Sequence, residues 1–319
     1  MNRSKLPSVA GLALMCLSLL LSAPASFAQA VSGTILGSVT DANGGALPNA
    51  KITLTHTATG QSRVIASDQG GEYIAPSLPT GAYTITVEAN GFKKATLNNV
   101  QLGVDQKARF DVKLEIGATT ETVNIEGGAP LVQTDSSDLS GTINERQIVN
   151  LPLNGRDFVV LTRTLPGVQR GIPGANIDGA GSLAWRASAS FAANGMRTRD
   201  NNFLLDGVDN NETWLNSVVI FPSIDALEEF KVQTSTYSAE FGRSSGGVVN
   251  IQIKSGQNAF HGSAFEFLRN DKLDANDFFN NRARRNLNAD GKAQAPPFKQ
   301  NQFGGTAGGR IRKDKTFFF

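Results

Sequence analysis

Gly247-Val248-Val249-Asn250-Ile251-Gln252-Ile253-Lys254 is the stretch on which the reading of the fold turns. Val249, Ile251 and Ile253 alternate with Asn250, Gln252 and Lys254, and only Val248 interrupts the pattern. A period of two is that of a β-strand with one apolar side. Apolar outside and polar inside is also the dyad of a strand in a membrane barrel, so residues 247–254 are read as the first lipid-facing strand. Gly256-Gln257-Asn258 is expected to turn the chain, and Phe260 to Leu268 to return it with Ser263, Phe265 and Phe267. Residues 270–298 are then polar, with Asn280-Asn281, the arginines Arg282, Arg284 and Arg285, and Pro296-Pro297. A loop of that length is unusual in a soluble domain but ordinary on the outer side of a membrane barrel. Residues 247–319 are therefore read as the start of a barrel.

Length then limits what this stretch can build. A membrane strand needs about 9–11 residues, so the chain after Gly247 supplies about three or four. An open sheet in lipid leaves edge groups unpaired at a cost of several kcal/mol each. The chain is accordingly expected to be a truncated portion of a longer barrel protein.

At the other end, Arg3 and Lys5 precede the apolar run Val9 to Leu21, and Ser26-Phe27-Ala28 offers a small-x-small cleavage point before Gln29. This order is that of a secretory signal peptide over residues 1–28, with an apolar run too short to span a membrane. Its removal takes two basic residues and no acid, so 30 Lys+Arg fall to match the 28 Asp+Glu, and Cys16, the single cysteine, is lost. A neutral balance argues against a nucleic-acid partner. Two histidines and no remaining cysteine argue against a zinc site. Phe 19 against Trp 2 and Tyr 3 fits a strand-rich chain.

Between Gly33 and Ile116 short alternating segments are separated by Gly, Pro, Asn and Asp. The expected strands are Thr34 to Thr40, Ala50 to His56, Ser62 to Ala66, Gly71 to Ala75, Gly81 to Ala89, Thr96 to Leu102 and Ala108 to Glu115. That spacing predicts an all-β sandwich over residues 29–116. Tyr83, Ile85 and Val87 should point to its core, with Thr84 and Thr86 outward, and His56 should be an exposed strand residue. Gly37-Ser38-Val39-Thr40-Asp41, Leu47-Pro48-Asn49-Ala50, Gly70-Gly71-Glu72-Tyr73 and Leu78-Pro79-Thr80-Gly81-Ala82-Tyr83 together resemble the carboxypeptidase regulatory-like domains. The resemblance implies a transthyretin-like/Ig-like sandwich of the broad carbohydrate-binding-like fold, without protease chemistry.

Residues 117–135 break the periodicity as a linker would, and contain the extended run Glu121-Thr122-Val123-Asn124-Ile125. Over 136–246 follow Leu151-Pro152-Leu153-Asn154-Gly155-Arg156-Asp157-Phe158, Ala193-Asn194-Gly195-Met196-Arg197 and Asn201-Asn202-Phe203-Leu204-Leu205-Asp206-Gly207-Val208-Asp209-Asn210-Asn211. Ala226-Leu227-Glu228-Glu229-Phe230 and Gly246-Gly247-Val248-Val249-Asn250-Ile251 close the series. In this order the motifs resemble the plug domain and first barrel strand of TonB-dependent outer-membrane transporters, in the Oar-like branch with a regulatory-like sandwich in front.

The resemblance implies a mainly β chain: sandwich, then an α/β plug domain, then the first strands of a transmembrane β-barrel of about 22 strands. It implies an outer-membrane location, with the sandwich in the periplasm and lipid around the barrel. It also implies uptake of an unidentified extracellular ligand, driven by a periplasmic TonB complex and the proton-motive force. Glu121 to Ile125 would be the TonB box, which adds to its partner as a β-strand. Asn194, Arg197, Asn201, Asn202, Asp206, Asp209 and Asn211 would be plug residues open to lumen or ligand contact, or else turn and strand-end polarity. Asp206, Asp209 and Glu212 lack the oxygen spacing of a calcium loop. No cofactor, metal or catalytic residue is expected, and the zinc-protease motif is absent. The alternative is a surface or periplasmic binding protein that uses the sandwich, for carbohydrate among other ligands, beside an inert transporter remnant.

Overall fold

The computed structural model describes residues 32–118, 122–126, 136–151, 153, 156–170, 191–213, 216, 218–242, 244–284, 286–289 and 291–319. The expected signal peptide lies outside the described residues.

The sandwich is built from β1 (Gly33–Asp41), β2 (Lys51–His56), β3 (Ser62–Ala66), β4 (Glu72–Leu78), β5 (Gly81–Glu88), β6 (Lys94–Leu102), β7 (Lys107–Arg109) and β8 (Val112–Leu114). The last expected strand is thus two, which run in series parallel to β1. One sheet has the order β4-β1-β7, with β8 also on β1, and the other has the order β3-β2-β5-β6-β9. The added strand β9 (Thr122–Glu126) comes from the segment read as a linker. Ile35, Val39, Ile52, Ile85 and Val87 are fully buried between the sheets. Tyr83 joins them, as its alternation predicts, and its hydroxyl donates to the Pro79 carbonyl at 2.7 Å.

His56 is only 8% exposed, against the expectation of an exposed position. Its Nε2 is 3.1 Å from the Thr80 carbonyl and its Nδ1 is 2.8 Å from Thr59 Oγ1. The reason is a close approach at Gly81, which has φ +127° and where a Cβ would meet His56 Nε2 at 2.5 Å. Glycine leaves the ring its space, and burial lowers the imidazole pKa.

The central domain is a five-stranded mixed sheet of order β10-β15-β16-β13-β14, from β10 (Leu139–Asn144), β13 (Asn202–Leu205), β14 (Val208–Asp209), β15 (Leu227–Ser235) and β16 (Val248–Ile253). A two-stranded ribbon, β11 (Val168–Arg170) with β12 (Phe191–Ala193), lies beside it. The single helical turn α1 (Glu145–Asn150) starts with a capping box, Asn144 and Gln147 exchanging side-chain and backbone hydrogen bonds at 3.1 Å. Phe158, Phe191, Phe203 and Phe230 fill the core with Val249 and Ile251.

This placement corrects the reading of residues 247–254. The strand does not face lipid: Val248, Val249 and Ile251 are fully buried, between β15 on one side and parallel β13 on the other. The physical reason is that a strand with one face over a protein core needs the same alternation as a barrel wall, and here the other face, with Val248 and Asn250, is covered as well. The first strand of the C-terminal sheet is instead β17 (His261–Asn270), paired in one unbroken register with β18 (Lys299–Arg312), which in turn pairs β19 (Thr316–Phe318). The polar stretch between β17 and β18 contains a second short helix, α2 (Phe278–Ala283), capped by Asp277.

Candidate functional site

Of the segment 121–125, residues 122–125 lie on β9, the terminal strand of its sheet among the described residues. Thr122 to Glu126 pair in parallel with Lys94 to Asn98 of β6, residue for residue. Val123 lies beside buried Ala95 and is half-buried, whereas Thr122 and Asn124 are exposed. Glu121 is outside the described residues. One side of its backbone ladder is in use against β6.

The predicted plug residues turn out to be pins that hold the central domain together. Asn201 is buried, its amide donating to the carbonyls of Phe191 at 2.7 Å and Thr198 at 3.1 Å, while its oxygen accepts from the Gly247 amide at 2.9 Å. Asn211 reaches back over the Asp206-Gly207 turn, donating to Asn202 Oδ1 at 2.7 Å and accepting from the Phe203 amide at 2.9 Å. Asp209 accepts from the Asn211 amide at 3.0 Å. Asp206, at φ 49°, accepts from the Ile253 amide at 2.9 Å, and burial raises its carboxyl pKa. Asn194, also left-handed at φ 50°, donates to the Thr234 carbonyl at 2.7 Å. Arg197 is exposed, with its backbone N–H donating to Asp200 at 3.2 Å. These side chains mark strand ends and turns, where backbone groups lack ladder partners.

A second polar cluster, which no sequence motif signalled, joins the sandwich to the central sheet. The β6–β7 turn presents Val104 and Asp105 to the face of β15 and β16 opposite the apolar core. The Val104 amide donates to Glu229 at 2.5 Å, Lys231 Nζ donates to the Asp105 carbonyl at 2.8 Å, and Asn250 donates to the Asp105 carboxylate at 2.7 Å. Thr80 and Gln252 add a side-chain contact beside them. Lys231 is 1% exposed, so desolvation lowers its pKa, while the charge of Asp105 acts in the opposite direction. Desolvation likewise raises Asp105 and Glu229. The long-range pairing of residues more than a hundred positions apart explains why sequence gave no sign of it.

The arginine of the Leu151-to-Phe158 motif ties the central domain to the C-terminal sheet. Arg156 forms an ion pair with Asp225, and its guanidinium lies 3.9 Å from the Phe267 ring centroid and 4.7 Å from that of Phe265. A planar cation over aromatic faces is a favourable cation–π arrangement. Among the described residues there is no group of three or more His, Cys, Asp or Glu placed to hold a metal.

Residues 34–115 match the carboxypeptidase regulatory-like domain, and residues 252–319 match an outer membrane beta barrel domain. The chain thus sets a stretch similar to a regulatory-like domain ahead of one similar to an outer-membrane barrel domain. It is 30% identical over 311 residues to the TonB-dependent transporter Oar of Myxococcus xanthus, a match covering 94% of this chain and 27% of that protein. Over nearly its whole length the chain is thus similar to a TonB-dependent outer-membrane transporter of the Oar type. It spans about a quarter of the length of that curated relative. Among solved structures, the siderophore receptor PirA from Acinetobacter baumannii is 20% identical with a TM-score of 0.37, covering 55% of this chain and 23% of that one. Catechol 1,2-dioxygenase from Acinetobacter sp. ADP1 is 14% identical with a TM-score of 0.24, over 32% of this chain and 60% of that one.

Proposed function

We propose that this chain is the periplasmic and plug portion, with the first barrel strands, of an outer-membrane receptor that takes up an extracellular ligand by active transport. TonB, energised by the proton-motive force, is the partner that pulls on residues 121–125, and the sandwich stands on the periplasmic side. Residues 136–246 together with β16 form the plug. No bond is made or broken in transport, so the reading asks for no catalytic residue and no cofactor.

The observation that carries this reading is the order within one chain of sandwich, short edge strand, mixed central domain and aromatic-rich hairpins. A transporter of this kind matches that order along 94% of the chain. The polar pins support it, because a plug in a wet lumen must hold its own loops without help from a thick apolar core. Leu268, Phe303 and Ile311 support the barrel reading of the last segment, since they are exposed on β17 and β18 on the face opposite the one that meets Arg156.

The test is made on the complete receptor, purified in detergent. Its affinity for the C-terminal domain of TonB should fall at least tenfold on Val123→Pro, because proline removes a backbone donor from the strand. Unchanged affinity would show that the box lies elsewhere. Fractionation should place the receptor in the outer membrane, and recovery as a water-soluble periplasmic monomer would refute the transporter reading.

A further inference from the structure

We infer that the sandwich is a releasable brace, seated by one end on the central domain and on the start of the C-terminal sheet at once, and that it leaves both seats together without unfolding. The inference rests on reading the central domain as the plug and β17 to β19 as barrel wall. It goes beyond that reading in giving the sandwich a task. While it is docked, plug and wall are fixed to one body and cannot shift against each other.

Three turns meet at that end of the sandwich. The register places His56, the last residue of β2, beside Tyr83, and Gly81, the first of β5, beside Leu102, the last of β6. The turns that follow β2, precede β5 and follow β6 are therefore neighbours. His56 ties the first two together, with Nδ1 2.8 Å from Thr59 Oγ1 and Nε2 3.1 Å from the Thr80 carbonyl. Gln106 holds the third, its side chain accepting from the Gly103 amide at 2.7 Å. Cross-tied in this way, the turns move as one piece.

Each seat takes different turns. On the central domain, the Val104 amide donates to Glu229, Asp105 is gripped by Lys231 and Asn250, and Thr80 meets Gln252. At the C-terminal sheet, the Asn258 amide donates to the Ala58 carbonyl at 3.0 Å. Asn258 is itself held by paired bonds with Asp314, in the turn between β18 and β19. Gly60 closes this seat, since a Cβ there would meet Asp314 Oδ1 at 2.6 Å.

The chemistry of the seats favours release. Apart from Val104, which is buried, the contacts just named are polar. Asp105, Glu229 and Lys231 give up hydration on docking and regain it on parting, so the closed state is held by a small difference between large opposing effects. The buried apolar residues form separate clusters in the sandwich and in the central domain, so neither core opens when the seats do.

Two amides report the seats directly, because the acceptor of each lies on the other body: Val104 N–H on Glu229, and Asn258 N–H on Ala58. Hydrogen exchange of the complete receptor in detergent, read at single amides, should give both the same protection within about threefold. That protection should be at least tenfold above a free peptide and at least tenfold below the amides of β5. Lys231→Met nearly keeps the side-chain length but leaves the Asp105 carbonyl and the Asp105 and Asp138 carboxylates without their cation. It should speed both amides at least tenfold and leave β5 unchanged. Asn258 makes no contact with Lys231 in either seat, so its acceleration is what a brace requires. Should Lys231→Met fail to fold, Asp105→Gly attacks the same seat from the sandwich side, at a left-handed position that suits glycine.

Acceleration of Val104 alone would overturn the inference, because the two contacts would then be independent. So would an absence of protection in the wild type, or exchange of both amides in step with β5, which would mean that the sandwich lets go only by unfolding. The transporter reading fails separately, by recovery of the receptor as a water-soluble periplasmic monomer. A membrane-inserted receptor whose two amides exchange independently sinks the brace alone.

Discussion

Glu228 is the residue at which one substitution should most change how the central domain responds to pH. It lies on β15, and burial raises its carboxyl from 4.5 to about 7, with the charges of Glu229 and Glu145 adding to the rise and that of Lys254 opposing it. Lys254 is largely committed elsewhere, its ammonium lying 2.6 Å from Glu145. A rise of about 2.5 units corresponds to about 3 kcal/mol at ~1.4 kcal/mol per unit. The native domain keeps this proton over a range in which the unfolded chain has already released it. Stability from this residue therefore falls as pH rises from about 4.5 to about 7, and the full cost persists above that range. Glu228→Gln keeps the shape and cannot ionise. The variant should match the wild type near the bottom of that window and exceed it by about 3 kcal/mol at pH ~8, roughly a hundredfold in protection. The measurement is hydrogen exchange of the β15 amides in the complete receptor, corrected for intrinsic rates, at both ends of the range. If the variant shows the same pH dependence as the wild type, or is the less stable of the two above the window, the burial argument is wrong.

Asn201→Ala removes three hydrogen bonds to buried or half-buried backbone groups, and at about 1–3 kcal/mol per unsatisfied group it should cost about 3 kcal/mol or more. Faster exchange concentrated at residues 191–193 and 247–249 would check it, and uniform exchange would count against a local pin. Tyr83→Phe leaves the Pro79 carbonyl without its partner and should cost about 1–1.5 kcal/mol, read as faster exchange in β2 and β5 with the central domain unchanged.

The sandwich was readable from sequence because its signals are local. Alternation of Tyr83, Ile85 and Val87, and turn residues at regular intervals, need no knowledge of distant partners. The break at Phe110 and Asp111, which splits one expected strand into β7 and β8, carries no such local signal. There the Phe110 amide donates to Leu36 at 2.8 Å, and Asp111 accepts from the Ser38 amide at 2.9 Å, so β1 dictates the break. His56 was misjudged for a similar reason. Its burial depends on Gly81, which meets it only once β2 and β5 are paired. The motif residues around Asn201 to Asn211 were legible as turn chemistry, whereas Lys231 and Asp105 were not. A lysine in Leu227-Glu228-Glu229-Phe230-Lys231 looks like one more exposed charge until the sandwich turn covers it.

The strand Val248–Ile253 shows where a period of two stops being informative. Its alternation reports one apolar face and says nothing about what that face meets, lipid or a protein core. Two further signals separate the cases. A barrel strand must find its next partner immediately along the chain, because barrel topology is made of hairpins. Here the expected hairpin does not close: Asn258, in the expected turn, instead exchanges bonds of 2.8 and 3.0 Å with Asp314, and its amide donates to Ala58. The second signal is the flanking sequence. Gly246-Gly247 packs against Asn201 and Phe191, where a Cβ would meet Asn201 Oδ1 at 2.7 Å and the Phe191 ring at 3.3 Å. Small residues ahead of the strand thus mark close packing inside the central domain. By contrast, β17 and β18 run ten residues in unbroken register and leave Leu268 and Phe303 exposed on the face turned away from Arg156. Length, an adjacent partner and outward aromatics together make a membrane strand, and alternation alone does not.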